Sequence, residues 1–157
     1  MWGFEWDGES GRRECPLGLA KPERRYPSKM TTPELAEKFV AMCKEGKNFD
    51  VMQTLYNDGI VSVEAARRKT GSFETVGKAE VIEKSKEWAA AHEIHGATTD
   101  GPFLLGDQFA VVFDFDVTPK ATGKRGHNRE VAVYTAKDGL IVREEFFYGP
   151  GAEALAR

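Results

Sequence analysis

Glutamate and histidine side chains on predicted β-strands are the residues of this sequence best suited to chemistry. They are His95, Glu64, Glu130 and Glu145. An imidazole has a pKa near 6.5 and exchanges a proton readily at neutral pH. A carboxylate among apolar strand residues must be exposed, paired or protonated, because burying an isolated charge is costly. A histidine beside a carboxylate in a pocket predicts acid–base chemistry, with His95, Glu64 and Glu145 as the candidate catalytic residues.

Proton abstraction next to a carbonyl also needs a donor for the resulting enolate, a role that a tyrosine hydroxyl can fill. Trp88 and the phenylalanines favour an apolar wall and therefore a small apolar ligand. The predicted ligand-pocket residues are Tyr56, Trp88, Glu130, Tyr134 and Phe147. We expect His95 to share this pocket with at least one glutamate. The alternatives are a solvated or dimer-edge glutamate, and a histidine bonded to a backbone carbonyl or to solvent.

Other motifs give little support for a metal or a cofactor. His92 and His95 have opposite parity on a strand, so they cannot chelate one ion together. Asp114 and Asp116 share one strand face about 7 Å apart, which suits paired carboxylates, but their face is predicted to be the less buried one. No nucleophile elbow, phosphate loop or dinucleotide fingerprint occurs. We expect neither a metal nor a cofactor.

Three consecutive strands must position these residues. Residues 107–118 alternate, with Phe109, Val111, Phe113, Phe115 and Val117 on one parity, which predicts a sheet with one apolar face. Residues 130–136 and 140–148 are two further strand signals. The Asp138-Gly139 pair between them is a strong signal for a two-residue hairpin turn.

The hairpin turn predicts a register for the last two strands. One face pairs Tyr134 with Arg143, Ala132 with Glu145, and Glu130 with Phe147; the other pairs Val133 with Glu144 and Val131 with Phe146. Both faces then mix apolar and acidic residues. Such a mixture is typical of a curved sheet that covers a polar pocket.

Helices occupy most of the first half of the chain. The Thr32-Pro33-Glu34 sequence predicts a helix start, and apolar residues recur at helical spacing to about Glu45. Further helices are predicted from Asn48 to about residue 57 and from Gly77 to about Ala91, with strands at residues 60–65 and 92–99. The order predicts an α+β domain: a curved, mixed, mainly antiparallel sheet wrapped around three helices.

This order and three local segments resemble the SnoaL-like (nuclear transport factor 2-like) superfamily. The segments are LYNDGIVSV at residues 55–63, VGKAEVI at 76–82, and KDGLIV at 137–142 leading to FFY at 146–148. The resemblance covers residues 31–149. It implies a cystatin-like cone with a pocket between sheet and helices, and a homodimer through the outer face of the sheet. The superfamily includes isomerases, cyclases, dehydratases and non-catalytic binding modules, so the fold alone does not select an activity.

Length and composition set the domain organisation. A chain of 157 residues that is 41% hydrophobic suits one domain with a proper core. Residues 1–29 are rich in proline and glycine without periodicity, which predicts a disordered N-terminal extension. We expect the domain at residues 30–150 and a frayed tail at 151–157.

Charge excludes several partners. A net charge of −3 argues against nucleic acid and anionic membrane surfaces. No apolar run approaches the roughly 20 residues of a membrane-spanning helix, the N-terminus does not resemble a signal peptide, and two cysteines do not form a disulfide framework. We expect a cytoplasmic protein.

The predicted function is a cofactor-free acid–base enzyme, an isomerase, cyclase or dehydratase acting on a small apolar carbonyl compound. The alternative is a non-catalytic ligand-binding or dimerisation module.

Overall fold

A computed structural model describes residues 29–67 and 71–149. Most of the predicted N-terminal extension and the predicted C-terminal tail lie outside these residues. Three helices are present: α1 at Thr32–Lys44, α2 at Asn48–Leu55 and α3 at Lys78–Ala91. None of these helices is long and apolar enough to cross a bilayer. The three predicted helices are confirmed.

Six strands form one curved sheet. They are β1 (Tyr56–Val63), β2 (Glu74–Val76), β3 (His92–Leu105), β4 (Gln108–Pro119), β5 (Gly126–Lys137) and β6 (Leu140–Tyr148). The sheet order is β2-β1-β6-β5-β4-β3. β1 runs parallel to β6, and every other pair is antiparallel. The α+β fold with a mixed, mainly antiparallel sheet is therefore confirmed, although β2 lies where no strand was predicted.

Helix α1 begins with a capping box one residue earlier than predicted. The Thr31 hydroxyl accepts a hydrogen bond from the Glu34 amide at 3.4 Å, and the Glu34 carboxylate accepts one from the Thr31 amide at 2.8 Å. Thr31 is the N-cap, and Pro33 lies in the first turn. This arrangement satisfies amides that the first helical turn leaves free.

The core lies between the helices and the inner face of the sheet, which we define as the face that contacts them. Phe39 of α1 packs against Phe109 and Tyr134, with ring centroids 5.5 and 4.4 Å apart. On β4 the predicted parity is confirmed, because Phe109, Val111, Phe113 and Val117 are buried. The opposite face of the sheet is called the outer face below.

A bulge shifts the predicted register between β5 and β6. Ala136 pairs with Ile141, but Thr135 pairs with Arg143, so one extra β6 residue lies between these two pairs. Beyond the bulge Tyr134 pairs with Glu144, not with Arg143. A one-residue shift moves every following side chain to the other face. The predicted register was therefore wrong by one residue along β6.

Candidate functional site

Five polar side chains meet at the inner face of the sheet, where β1 and β6 run side by side beneath α3. We call this group the polar cluster. It consists of Tyr56, Ser62 and Glu64 from the β1 segment, Glu144 from β6 and Lys84 from α3. Ser62 and Glu144 are directly paired across the two parallel strands, which places their side chains on the same face.

Lys84 is the cation of the polar cluster. Its Nζ lies 2.5 Å from Glu64 Oε1, 2.6 Å from Ser62 Oγ and 3.8 Å from Glu144 Oε1. The Lys84 side chain is only 12% exposed. Because a buried ammonium needs several acceptors to replace its hydration, these oxygens account for the position of Lys84 between α3 and the sheet.

Glu144 is the most buried carboxyl of the polar cluster, with 1% of the residue exposed. Burial raises its pKa, and the Lys84 charge and hydrogen bonds from Tyr56 and Ser62 oppose this rise. The Tyr56 hydroxyl donates to Glu144 Oε2. The pKa values of Tyr56 and of neighbouring Tyr134 are raised well above 10. Burial is the main cause, and the negative charge of Glu144 is the second. Both phenols are therefore neutral hydrogen-bond donors at physiological pH.

Glu130 lies on the inner face of β5, next to the polar cluster. It pairs with Phe113 on one side and with Tyr148 on the other. Burial raises its pKa from 4.5 to about 7, with a further increase from the Glu64 charge and an opposing effect of Lys84. Its hydrogen-bond partner is Asn128, whose Nδ2 lies 3.4 Å from Glu130 Oε2. Glu130 therefore exchanges a proton near neutral pH.

Aromatic rings border these polar groups. Lys84 Nζ lies 5.0 Å from the centroid of the Phe146 ring, a distance at which a cation is attracted by the ring. The Trp88 ring lies 5.4 Å from Phe115, and Phe115 lies 5.8 Å from Phe113. Apolar walls of this kind raise the pKa of a nearby carboxyl by excluding water.

Solvent reaches the edge of this region. Glu64, Glu130 and Phe146 face inward but are only half-buried. A surface groove of about 790 Å³ lies between the end of β1 and residues 71–74, and Glu64 forms part of its wall. A small molecule in this groove would first meet the polar cluster at Glu64.

The structure places His95 away from these groups. The pairing of β3 with β4 shifts between Ile94 and Gly96, and His95 lies on the outer face. Its Nε2 is 2.8 Å from Thr118 Oγ1, and its Nδ1 is 4.0 Å from Glu93 Oε1. The prediction that His95 shares a pocket with Glu64, Glu130 or Glu145 is therefore wrong.

The histidine on the inner side of the sheet is His92, which is 3% exposed. Its ring stacks on Trp88 at 4.5 Å, and its Nδ1 lies 2.7 Å from the Trp88 carbonyl oxygen. A ring nitrogen at that distance from a carbonyl must carry the proton. His92 therefore serves to fix the end of α3 against β3.

Glu145 and Phe147 also lie on the outer face, contrary to prediction, because the bulge shifts them. Glu145 Oε1 lies 3.0 Å from Arg143 Nη2, and Phe147 is 54% exposed and pairs with Val131. Their places on the inner face are taken by Glu144 and Phe146.

The other predicted site residues lie on the inner side of the sheet, and their role in lining a ligand pocket stays a prediction. Tyr56, Glu64, Trp88, Glu130 and Tyr134 all face the helices or contact side chains that do. Sequence reasoning missed Ser62, Lys84, Glu144 and Asn128. A lysine among the inward positions of α3 was a usable signal, because three strand glutamates on one face require a cation. The sequence contains no comparable signal for Asn128.

The aspartates and remaining histidine of the outer face form ordinary surface pairs. Asp116 binds Arg125 through two hydrogen bonds of 2.8 and 2.5 Å, and Asp114 lies 2.8 Å from His127. Within residues 29–67 and 71–149, no three His, Cys, Asp or Glu side chains are arranged to hold a metal ion.

Comparisons with known proteins agree with this architecture. Residues 30–148 match the family model described as a SnoaL-like domain. A crystal structure from Mesorhizobium loti, described as a candidate SnoaL-like polyketide cyclase [carbohydrate phosphatase], is 42% identical with a TM-score of 0.72; the match covers 76% of this chain and all of that one. No curated protein matched the chain.

More distant structures share the fold. A candidate isomerase from Bacillus subtilis is 20% identical with a TM-score of 0.63, over 78% of this chain and 92% of that one. A protein of unknown function with a cystatin-like fold from Xanthomonas campestris is 18% identical with a TM-score of 0.64, over 81% and 97% of the two chains. At such identities the likeness concerns the fold.

Proposed function

Because the chain belongs to the SnoaL-like domain family, we propose that it is a cofactor-free acid–base enzyme acting on a small carbonyl compound with an apolar body. The relative described as a candidate SnoaL-like polyketide cyclase, and the structure of the same fold described as a candidate isomerase, are consistent with proton-transfer chemistry. The observation that carries the proposal is Glu130, an inward-facing carboxyl with a pKa of about 7. A general base is most effective when its pKa lies near the working pH.

Glu130 is the carboxyl of the site that is free to act as the base. Glu144 accepts the Tyr56 hydroxyl and lies 3.8 Å from Lys84. Glu64 is held by Lys84 at 2.5 Å. A carboxylate whose oxygens already hold a cation or a hydroxyl has fewer lone pairs available for a substrate proton. Glu130 has the single amide contact from Asn128 at 3.4 Å.

The proposed reaction needs two functions from this chain. The Glu130 carboxylate removes the proton from the carbon next to the carbonyl, and the electron pair moves onto the carbonyl oxygen to give an enolate. The ammonium of Lys84 stabilises that negative charge, as fixed positive groups do in other enolate-forming sites. Protonated Glu130 then returns the proton to another carbon, which completes an isomerisation. In a cyclase the enolate carbon would instead attack a second carbonyl of the same molecule.

The proposal is tested with a Glu130→Gln variant and an aryl-substituted β,γ-unsaturated ketone as the probe. Formation of the conjugated ketone is followed by ultraviolet absorbance. Loss of a general base lowers the rate by about 100-fold or more. Glu145→Gln is the matched control, because Glu145 lies on the outer face and contacts Arg143. The wild-type rate is expected to rise with pH through about 7, as Glu130 ionises.

The non-catalytic alternative makes a different prediction. A binding module would hold an unreactive analogue, such as the saturated ketone, without converting the unsaturated probe. Equal, background rates for wild type and Glu130→Gln together with measurable binding of the analogue would favour that function.

We also propose a homodimer through the outer face, where Phe147 and Val131 are paired and exposed.

A further inference from the structure

Asn128 carries a buried hydrogen-bond acceptor without a partner. The residue is 1% exposed, and its Oδ1 is one of three buried side-chain atoms without a hydrogen bond among the described residues. Leaving a buried polar group unpaired is unfavourable, because the group has lost its hydrogen bonds to water. Buried polar atoms in proteins are nearly always bonded, so an exception calls for a specific explanation.

The position of Asn128 connects this acceptor to the chemistry proposed above. Asn128 and Glu130 are two apart on β5 and share the inner face, and Phe115 is the cross-strand neighbour of Asn128. The Asn128 Nδ2 lies 3.4 Å from Glu130 Oε2. The orphaned acceptor therefore belongs to the residue that contacts the proposed base.

In the ionised form that acts as the base, Glu130 fixes which end of the Asn128 amide is free. An ionised carboxylate only accepts hydrogen bonds, so the amide must present its NH₂ group to Glu130. The carbonyl oxygen of Asn128 then points away from the carboxylate and needs a donor from elsewhere. The described side chains supply none.

We propose that Asn128 Oδ1 accepts a hydrogen bond from a hydroxyl group of the substrate, so that the substrate is a hydroxylated carbonyl compound. This inference rests on the proposed function and specifies its substrate class. A neutral hydroxyl fits better than an ammonium, because a cation beside Glu130 would stabilise the ionised carboxylate and weaken the base. Asn128 is then a specificity-determining residue, and Glu130 remains the base.

A buried acceptor of this kind discriminates strongly between ligands. A ligand without the hydroxyl would leave Oδ1 unpaired, whereas the correct ligand satisfies it. Sites built to hydrogen-bond a hydroxyl reject analogues that lack it by factors of about 10⁴–10⁵. For a small probe we expect a preference of about 10-fold or more.

The test compares two probes that differ in one group, 2-hydroxyacetophenone and 2-methoxyacetophenone, which both carry an aromatic body and a carbonyl. Binding to the full-length wild-type protein is measured by calorimetry or ligand-observed NMR. The hydroxyl probe is expected to bind about 10-fold more tightly. In Asn128→Leu, which keeps the branching at Cγ but removes the acceptor, the ratio of the two affinities is expected to fall to about one.

A second variant separates this effect from general damage to β5. Arg129→Leu introduces the same side chain at the neighbouring, exposed position of the same strand, and it is expected to keep the wild-type preference. Circular dichroism of both variants reports whether the fold is retained; if Asn128→Leu does not fold, Asn128→Ala is used with the same readout. Equal binding of the two probes to wild type would overturn the inference while leaving the proposed function intact. Failure of wild type to bind either probe at millimolar concentration would overturn both.

Discussion

Glu130→Gln should make the folded protein more stable at alkaline pH and leave it nearly unchanged in acid. The folded-state pKa of Glu130 is about 7, against 4.5 for an ordinary glutamate. Between these values the folded protein binds more protons than the unfolded chain, so stability falls as the pH rises. The penalty is absent below about pH 4.5 and complete above about pH 7. Glutamine removes it, because its amide never ionises.

The size of the effect follows from the pKa difference. One pKa unit corresponds to about 1.4 kcal/mol, so a rise from 4.5 to about 7 costs about 3 kcal/mol of folding free energy. Solvent screening of a half-buried carboxyl reduces this value, and we expect a gain of about 2–3 kcal/mol at pH 8. For a domain of this size the gain raises the melting temperature by about 10 °C. At pH 4 we expect a change below about 0.5 kcal/mol.

The assay is urea unfolding of wild type, Glu130→Gln and Glu145→Gln at pH 4, 6 and 8. The Gln side chain keeps an oxygen that can accept from Asn128, so the variant loses a charge with little change in shape. Glu145→Gln controls for the loss of one negative charge from the outer face. Two results would refute the reasoning: Glu130→Gln gains the same unfolding free energy at pH 4 and pH 8, or it loses stability at pH 8. Either result would show that burial does not raise the pKa of Glu130.

Two further predictions concern the polar cluster and the outer face. Lys84→Met leaves Glu144 buried without its cation, so we expect a loss of about 3 kcal/mol at pH 8 in urea unfolding; the loss should shrink in acid as the carboxyls become protonated, and a pH-independent loss would contradict an electrostatic role. For the proposed homodimer, we expect sedimentation velocity to show a dimer at micromolar concentration, and Phe147→Asp to give a folded monomer because a charge replaces an exposed apolar side chain. A wild-type monomer at high micromolar concentration would refute that association.

The fold could be predicted from local patterns in the sequence. The alternation along β4 and the helical spacing of α1 and α3 depend on burial of one face, and burial dictates residue type directly. The Asp138-Gly139 turn was also correctly located: both residues have positive φ, as a type I′ turn requires. These features depend on neighbours in the chain.

The site was predicted less well, because it depends on a bulge. β6 has one extra residue opposite Thr135 and Ala136. Because of it, Glu144 and Phe146 lie on the inner face, where Glu145 and Phe147 were predicted. A shift in β3 between Ile94 and Gly96 likewise accompanies the outward position of His95. Bulges carry weak sequence signals, because one unpaired residue fits many side chains. The alternation of side chains therefore predicts the buried face along a regular strand, but it fails beyond a bulge.

The place of β6 in the sheet has a consequence for how the protein folds. β6 is the last strand described, yet it lies between β1 and β5 in the middle of the sheet. During synthesis β1 emerges about 80 residues before its parallel partner, since Ser62 pairs with Glu144. Until then, Lys84 and Tyr56 have no Glu144 to contact. We expect the nascent chain to remain open to chaperones until β6 leaves the ribosome, and the carboxyls of the polar cluster to enter the interior in the final, cooperative step.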